Sequence, residues 1–155
     1  MRRRLSIVLS LGLGFSAIAT VTAGAVSEID LQGVWRPEAY VLKDGSRHLI
    51  DGLVFFTGKE WSFLVFVTVD GEPLRGEGEG GTYALKGDEL VFTHRYILMA
   101  GKAVGSLPET PLRMEIKGDA GAAKTPCRVT LEADRLTIRF GPSGNSMTFR
   151  RGSRF

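Results

Sequence analysis

The sequence predicts an all-β protein that forms a single antiparallel up-and-down β-barrel of about eight strands behind a signal peptide. Two observations lead to this fold class. Apolar and polar residues alternate with a period of two along most of the chain after residue 25, which is typical of half-buried strands. Gly- and Asp-containing turn signals separate these runs, and no segment there shows a helical period. Short links favour antiparallel neighbours, and closure into a barrel removes the exposed sheet edges.

The first residues have the pattern of a secretion signal. Three arginines at positions 2–4 precede an apolar stretch at 5–21, and Ala23-Gly24-Ala25 supplies the small residues of a cleavage site. A membrane anchor usually needs about 20 strongly apolar residues, whereas this stretch is short and rich in Gly and Ser. We therefore predict a signal peptide at 1–25 and one barrel domain at 26–155. The predicted location is periplasmic or secreted, with no stable membrane span after cleavage.

The charge balance and the single cysteine exclude several classes of protein. The whole chain carries a formal net charge of +3, but loss of Arg2, Arg3 and Arg4 leaves seventeen basic and seventeen acidic residues. Nucleic-acid binding needs a basic excess, so we predict no nucleic-acid partner. Cys127 has no second cysteine with which to form an internal disulfide. Alternation places it on the apolar side of its strand, which favours a buried and inert thiol over a reactive or intermolecular one.

Nine strands are expected, and the connections between them are expected to be turns and surface loops. The strands are predicted near 34–42, 49–57, 60–69, 82–86, 89–96, 112–117, 127–132, 135–140 and 146–151. Two longer connections, 106–111 and 118–126, are rich in Gly, Ala, Pro and Thr and are predicted to be surface loops. The run GEGEGG, Gly76 to Gly81, is predicted to be a flexible hairpin loop near the barrel mouth.

No cofactor or metal is predicted. The GEGEGG run has the glycine content of a phosphate-binding loop, but Glu77 and Glu79 would repel a phosphate and no Lys-Ser pair or helix follows. The two carboxylates lack the further oxygen ligands of a calcium loop. His48 and His94 are the only histidines, and they fall on different predicted strands, without a cysteine cluster for zinc.

Three short motifs resemble those of the lipocalin-like (calycin-type) barrels, here in an exported bacterial-type protein. They are Gly33-Val34-Trp35 at the first strand, Gly81-Thr82-Tyr83 followed by Gly87-Asp88-Glu89-Leu90, and the closing hairpin of 134–138 and 147–151. The chain lacks a disulfide and a predicted C-terminal helix, so the resemblance is to a looser lipocalin-like domain.

The resemblance implies a structural role for the first of these motifs. In that family the glycine lets the chain bend tightly, the tryptophan closes one end of the barrel, and a late arginine lies across the indole. Here these positions correspond to Gly33, Trp35 and either Arg150 or Arg151. We prefer Arg151, because it shares strand parity with Met147 and Phe149.

Strand parity also predicts which side chains face the barrel interior. The predicted inward set is Trp61, Phe63, Val65, Tyr83, Leu85, Leu90, Phe92, His94, Leu112, Met114, Ile116, Val129, Leu131, Leu136 and Ile138. The candidate ligand-binding residues are Trp61, Phe63, Tyr83, Phe92, His94, Tyr96 and Met114. An interior of this kind predicts non-catalytic binding of a small apolar or amphipathic molecule in the cell envelope or outside the cell.

Two other functions remain open on the sequence alone. A barrel with a filled interior would be a structural or inhibitory module that engages another protein. A small barrel enzyme would need Asp51, which shares a face with Leu49 and Phe55, to meet His94 for acid–base catalysis. His94 itself fits both a specificity group in the cavity and a satisfied histidine near the rim. No nucleophile motif accompanies either residue, so no catalytic residue is assigned.

Overall fold

A computed structural model describes residues 26–152, and the predicted signal peptide at 1–25 lies outside this part of the chain. After a short helix, α1 (Glu28–Leu31), nine strands follow. They are β1 (Gly33–Val41), β2 (Arg47–Phe56), β3 (Glu60–Val69), β4 (Glu72–Lys86), β5 (Glu89–Gly101), β6 (Thr110–Ile116), β7 (Ala123–Glu132), β8 (Arg135–Phe140) and β9 (Ser146–Arg151). A 3₁₀ turn at Asp119–Gly121 precedes β7. Neither α1 nor this turn has the length or apolar character needed to cross a membrane.

Eight of the strands close into a barrel. Strands β1 to β5 pair in sequence, the first half of β5 pairs with β7, and β7, β8 and β9 lead back to β1. Every pairing is antiparallel. The predicted fold class, an up-and-down antiparallel barrel of about eight strands, is therefore confirmed.

The ninth strand, β6, lies beside the barrel because β5 changes its partner along its length. Residues 89–94 of β5 pair with β7, whereas residues 96–101 pair with β6. The change coincides with a β-bulge: Gly81 pairs with His94 but Gly80 pairs with Tyr96, so Arg95 is an extra residue. A Cβ atom on Gly81 would lie 1.9 Å from the carbonyl oxygen of Thr93, so only glycine permits this approach.

Because of the bulge, two of the predicted site residues lie on the outside of the barrel. Tyr96 shares parity with His94 by simple counting, but the extra residue turns it outward, where it is 49% exposed. Met114 pairs with Leu98 on the same outer face and is 70% exposed. The prediction that these two side chains face the interior is wrong, and Leu112 and Ile116, which flank Met114 at the same parity, are also exposed.

The GEGEGG run is also not a loop. It lies within β4, which begins at Glu72 after the Asp70-Gly71 turn. The glycines occupy the outer face, where Cβ atoms at Gly76 and Gly78 would meet the side chains of Phe66 and Leu64 on β3. The connection expected at 106–111 spans 102–109, because β5 ends at Gly101 and β6 begins at Thr110, and the one expected at 118–126 is shortened because β7 begins at Ala123.

One end of the barrel is closed around Trp35. Its side chain is fully buried, and its Nε1 donates a hydrogen bond of 2.7 Å to the carbonyl oxygen of Leu31 in α1. The guanidinium carbon of Arg151 lies 4.2 Å from the centre of the indole ring, and Arg151 also donates to the carbonyl oxygen of Gln32. Gly33 has a φ of +123°, a conformation that favours glycine and lets the chain bend from α1 into β1.

The arginine over the indole is therefore Arg151, and not Arg150. Arg150 lies on the outside and pairs with Glu38 and Asp134.

Helix α1 is too short to show a helical period in the sequence. It begins at a capping box in which Asp30 Oδ2 accepts a 2.9 Å bond from the Ser27 backbone.

We predict that Trp35→Ala lowers the free energy of unfolding by about 3–5 kcal/mol, the usual cost of truncating a buried aromatic. The measurement is urea unfolding followed by circular dichroism. Trp35→Phe should cost less, since it keeps most of the buried area and loses the bond to Leu31. A change near zero for Trp35→Ala would show that this end of the barrel does not depend on the indole.

Candidate ligand-binding site in the barrel interior

A cavity of about 300 Å³ lies inside the barrel at the end opposite Trp35. The β8–β9 turn contributes Pro142 and Ser143 to its rim, whereas Trp35 pairs with the far end of β9 at Arg151. The volume is at the lower end of the range of small-molecule pockets, about 300–1,000 Å³. The barrel is therefore filled at one end and hollow at the other.

Aromatic side chains form one wall of the cavity. The ring centre of Trp61 lies 4.3 Å from that of Phe92 and 5.5 Å from that of Phe63. The indole Nε1 of Trp61 donates a 3.0 Å hydrogen bond to the carbonyl oxygen of Thr82. Because its polar atom is satisfied by the wall, Trp61 presents only apolar surface to the cavity. The remaining apolar lining consists of Val54, Ile138, Phe140, Met147 and Phe149.

A chain of three polar side chains crosses the cavity wall. His94 Nδ1 lies 2.6 Å from Glu79 Oε2, and His94 Nε2 lies 2.8 Å from Thr125 Oγ1. The side chains of His94 and Glu79 are 13% and 9% exposed. Adjacent strands bring them together: β4 carries Glu79, β5 carries His94 at the bulge, and β7 carries Thr125.

This arrangement fixes the orientation of the imidazole. Nδ1–H donates to the Glu79 carboxylate, and Nε2 either accepts from the Thr125 hydroxyl or, when the ring is charged, donates to it. Both ring nitrogens are therefore partnered in either protonation state. His94 is a satisfied histidine, and it also lines the cavity.

Glu77 brings a second carboxylate to the same cavity. It lies two residues before Glu79 on β4, so both side chains point inward. Burial, the negative charge of Glu79 and a hydrogen bond with the Glu79 side chain raise the pKa of Glu77 to about 7, against the opposing effects of Arg75 and His94. Within residues 26–152, Glu77 forms no ion pair with a basic side chain.

At the mouth, one asparagine ties the β8–β9 turn to β1. Asn145 Nδ2 donates a 2.6 Å hydrogen bond to the hydroxyl of Tyr40, and Asn145 Oδ1 accepts a 2.9 Å bond from the backbone of Lys43. Burial raises the pKa of Tyr40. The Tyr40 hydroxyl therefore remains protonated at neutral pH, and its ring lines the cavity.

Four of the seven predicted ligand-binding residues meet at this cavity, namely Trp61, Phe63, Phe92 and His94. Tyr83 is buried elsewhere: it donates a 2.7 Å hydrogen bond to the carbonyl oxygen of Thr57 and packs edge-on against Phe56. Its place is in the packed core, away from the cavity lining. Tyr96 and Met114 lie on the outside of the barrel.

The structure does not bring Asp51 to His94. Asp51 is exposed on the outer side of β2, where its Oδ1 accepts a 2.7 Å bond from the backbone of Gly52. The carboxylate that orients His94 is Glu79. The proposed Asp51–His94 pair is thus not formed, and an enzyme built on it has no basis in the structure.

Sequence reasoning missed the cavity residues Glu77, Glu79, Thr125 and Tyr40. The spacing of the two glutamates has the period of a strand, but the glycines between them suggested a loop. Thr125 lay in the segment interpreted as a surface connection. The signal that could have found the glutamates is the same alternation that identified the other strands.

The described residues offer little to a metal or to thiol chemistry. Within residues 26–152, no group of three or more His, Cys, Asp or Glu side chains is placed to hold a metal ion. Burial raises the pKa of the Cys127 thiol to about 12, so it stays protonated and unreactive at neutral pH.

Comparison of this chain with known protein families, with curated proteins and with solved structures finds no significant match. The closed antiparallel barrel is compatible with a calycin-like fold. Function is therefore inferred from the geometry of this chain itself.

We predict that Glu77 makes the protein less stable as the pH rises from about 4.5 to about 7. Its folded pKa of about 7 lies above the ordinary value of 4.5, so the unfolded chain ionises first and is favoured in this interval. This loss in the free energy of unfolding reaches about 3 kcal/mol. It is absent below about pH 4.5 and constant above about pH 7.

Urea unfolding across this pH range, with wild type and Glu77→Gln compared, measures the effect. As the pH rises, the free energy of unfolding of wild type should fall relative to that of Glu77→Gln. Glu72→Gln, an exposed change on the same strand, is the matched control and should follow wild type. Parallel pH profiles for wild type and Glu77→Gln would contradict the prediction.

Proposed function

We propose that this protein binds a small amphipathic molecule in the barrel cavity without catalysing a reaction. One observation carries the proposal: a cavity of about 300 Å³ combines an aromatic wall with two carboxylates on the adjacent strand, where Glu79 pairs across from Phe63, in a largely apolar interior. Binding sites of this kind take their affinity from apolar area and their orientation from a few polar groups.

The aromatic wall is the surface for the apolar part of the ligand. Trp61, Phe63 and Phe92 are held against one another, so the wall is already formed before a ligand enters. Each Å² of apolar surface removed from water contributes about 25 cal/mol. Because the cavity is small, a single ring or a short chain fills it.

The polar side of the cavity favours a head group that donates hydrogen bonds, and a protonated amine in particular. Glu79 already accepts from His94, whereas Glu77 forms no ion pair among the described residues. An amine cation beside Glu77 would supply the missing partner and favour its ionised form. A carboxylate head group would face two glutamates of like charge, which is unfavourable.

We further propose that the domain belongs to the looser lipocalin-like group and acts in the cell envelope or outside the cell. The closure of one end by Gly33, Trp35 and Arg151 supports the family assignment. The pattern of charged, apolar and small residues in the first 25 positions supports export.

A second candidate function rests on the series Thr125–His94–Glu79. Hydroxyl, imidazole and carboxylate in this order and at these distances are the arrangement of a nucleophilic catalyst. The residue after Thr125 is Pro126, which has no backbone N–H to donate to an oxyanion. For this reason the geometry favours binding over acyl transfer.

We predict that 2-phenylethylamine binds saturably at about pH 8, and at least about tenfold more tightly than 3-phenylpropionate, which has a similar shape and the opposite charge. Isothermal titration calorimetry measures both affinities. Glu77→Gln should weaken amine binding by a comparable factor, whereas Glu72→Gln should leave it unchanged. A preference for the acid would reverse the assignment of the head group, and saturation by neither probe would refute binding in this cavity.

We predict that the protein does not hydrolyse p-nitrophenyl acetate faster than an equal concentration of its Thr125→Val variant. Thr125→Val keeps the shape of the side chain and removes the hydroxyl beside His94. Release of p-nitrophenol is followed by absorbance. A rate that is present in wild type and lost in Thr125→Val would replace the binding proposal by the nucleophilic one.

A further inference from the structure

A groove of about 890 Å³ runs over the outer face of the sheet between β3 and β6. Its floor lies at Gly78 and Gly80 of β4, which place no side chain above the sheet. Ser62, beside the floor, donates a 3.1 Å hydrogen bond to the carbonyl oxygen of Glu79, so it can be covered without losing a partner. The apolar side chains of the groove are exposed on the outside of the barrel; they are Phe55, Tyr96, Leu98, Met114 and Ile116.

Strand β6 forms a ridge along one side of this groove. On its outer face Met114 is 70% exposed and Ile116 is 85% exposed. Arg113, Glu115 and Lys117 alternate to the other face of the strand, where Glu115 forms ion pairs with both basic residues. The charged face of β6 therefore satisfies itself, whereas its apolar face lies in solvent.

The floor and the ridge lie on opposite sides of β5. In two consecutive register rows, a glycine of β4 and a large side chain of β6 flank the same residue of β5; the rows are Gly78–Leu98–Met114 and Gly80–Tyr96–Ile116. Neighbouring strands of a sheet are about 4.8 Å apart. Each large side chain of the ridge is therefore matched, at the same distance beyond β5, by a residue without a side chain.

We propose that two copies of this chain associate face to face about a two-fold axis that lies above Leu98 and runs along β5. Rotation about this axis carries β6 of each copy over β4 of the other, so that each ridge lies in the partner's groove. Met114 then packs over the partner's Gly78, and Ile116 packs over the partner's Gly80. Two sheets with aligned strands pack in this manner, and an interface between identical surfaces requires each feature to meet its complement.

The combination of a ridge and a groove identifies a second copy as the occupant. A membrane surface would cover Met114 and Ile116 but would not fill the recess above the glycines, and an unfilled space loses van der Waals contacts. A single acyl chain would fill the recess but would leave the ridge in water, with its apolar area still hydrated. A second copy covers the ridge and fills the groove in the same contact.

The area is sufficient for a specific dimer. The five apolar side chains of the groove and ridge are between 39% and 85% exposed. With about 200 Å² for a fully exposed side chain of this size, they present roughly 600 Å² per copy. Two copies together would bury about 1,200 Å², which is at the lower end of specific protein interfaces.

The charged residues at the groove lie away from its floor. Glu60 pairs with Thr82, beyond the end of the glycine floor. Arg95, the extra residue of the bulge, forms an ion pair of 3.3 Å with Asp119. Glu79 faces the interior cavity. The surface that the partner's ridge would cover therefore carries no charged side chain.

Sedimentation equilibrium of the purified protein tests the proposal through an exchange of large and small residues. Wild type should sediment as a dimer at micromolar concentration. Gly78→Met should be monomeric, because the new side chain occupies the place of the partner's Met114. A Cβ atom on Gly78 meets no atom closer than 3.7 Å, so this variant is expected to fold. Met114→Ala should dimerise at least about tenfold more weakly, because the contact is lost twice.

A mixture of these two variants gives the sharpest result. In a heterodimer of Gly78→Met with Met114→Ala, both contacts again join one methionine to one small residue. An equimolar mixture should therefore form the heterodimer, which native mass spectrometry identifies by its mass. The double variant Gly78→Met/Met114→Ala should dimerise with itself for the same reason.

Control variants separate association from folding. Thr130→Met adds the same side chain at an exposed position of β7, and Leu49→Ala removes an exposed apolar side chain from β2 outside the groove. Both should dimerise as tightly as wild type. Circular dichroism should show the β-sheet spectrum for every variant.

Three outcomes would overturn the proposal. They are a monomeric wild type, a Gly78→Met variant that dimerises as tightly as wild type, and a mixture of the single variants that forms no heterodimer. A monomeric wild type that co-sediments with phosphatidylcholine vesicles would assign the ridge to a lipid surface instead.

Discussion

The close approach of β4 to β5 at Gly81 is the constraint on which both the interior cavity and the exposed apolar face of this barrel depend. A side chain at this position would collide with the carbonyl oxygen of Thr93, so glycine is required for the bulge at Arg95. Before the bulge, β5 directs Phe92 and His94 into the barrel and pairs with β7. After it, β5 pairs with β6 and presents Tyr96 and Leu98 outward. One extra residue thus separates an interior binding wall from an exterior apolar face.

The polar groups of the cavity are arranged so that the interior does not hold two unpaired charges. Burying an ionised carboxylate is costly unless it is paired or hydrogen-bonded. Glu79 meets this requirement through His94. Glu77 meets it by a raised pKa, which keeps much of the population protonated near neutral pH. The two carboxylates therefore avoid an unpaired buried charge in different ways: Glu79 pairs with His94, and Glu77 is kept protonated by burial and by its neighbour Glu79.

Strand periodicity was sufficient to predict the architecture. Alternation in the segments that became β3, β7, β8 and β9 identified their inward faces correctly, and the glycine–tryptophan motif identified the closed end. Periodicity failed where one backbone irregularity shifted it. The bulge at Arg95 reversed the parity of Tyr96, and β6 followed the outward half of β5, so Met114 was assigned to the wrong face.

The candidate site was only half predictable for a related reason. Its aromatic wall lies on regular strands and could be found by alternation. Glu77 and Glu79 lie between glycines, whose low strand propensity hid the strand. Those glycines are tolerated because Ser62, Leu64 and Phe66 of β3 cover the space above them. Such cross-strand packing depends on the register between two strands, which the order of residues in one segment does not specify.

The contacts of Asn145 have a consequence for the thermodynamics of ligand entry. This side chain fastens the β8–β9 turn to Tyr40 and Lys43, so the mouth of the cavity is ordered before any molecule arrives. Ligands that must organise a loop around themselves lose part of their interaction free energy to that ordering. In the binding function proposed above, only the ligand would lose conformational freedom on entry. A rigid molecule would then bind with little entropic penalty, and each rotatable bond added to it would reduce the affinity.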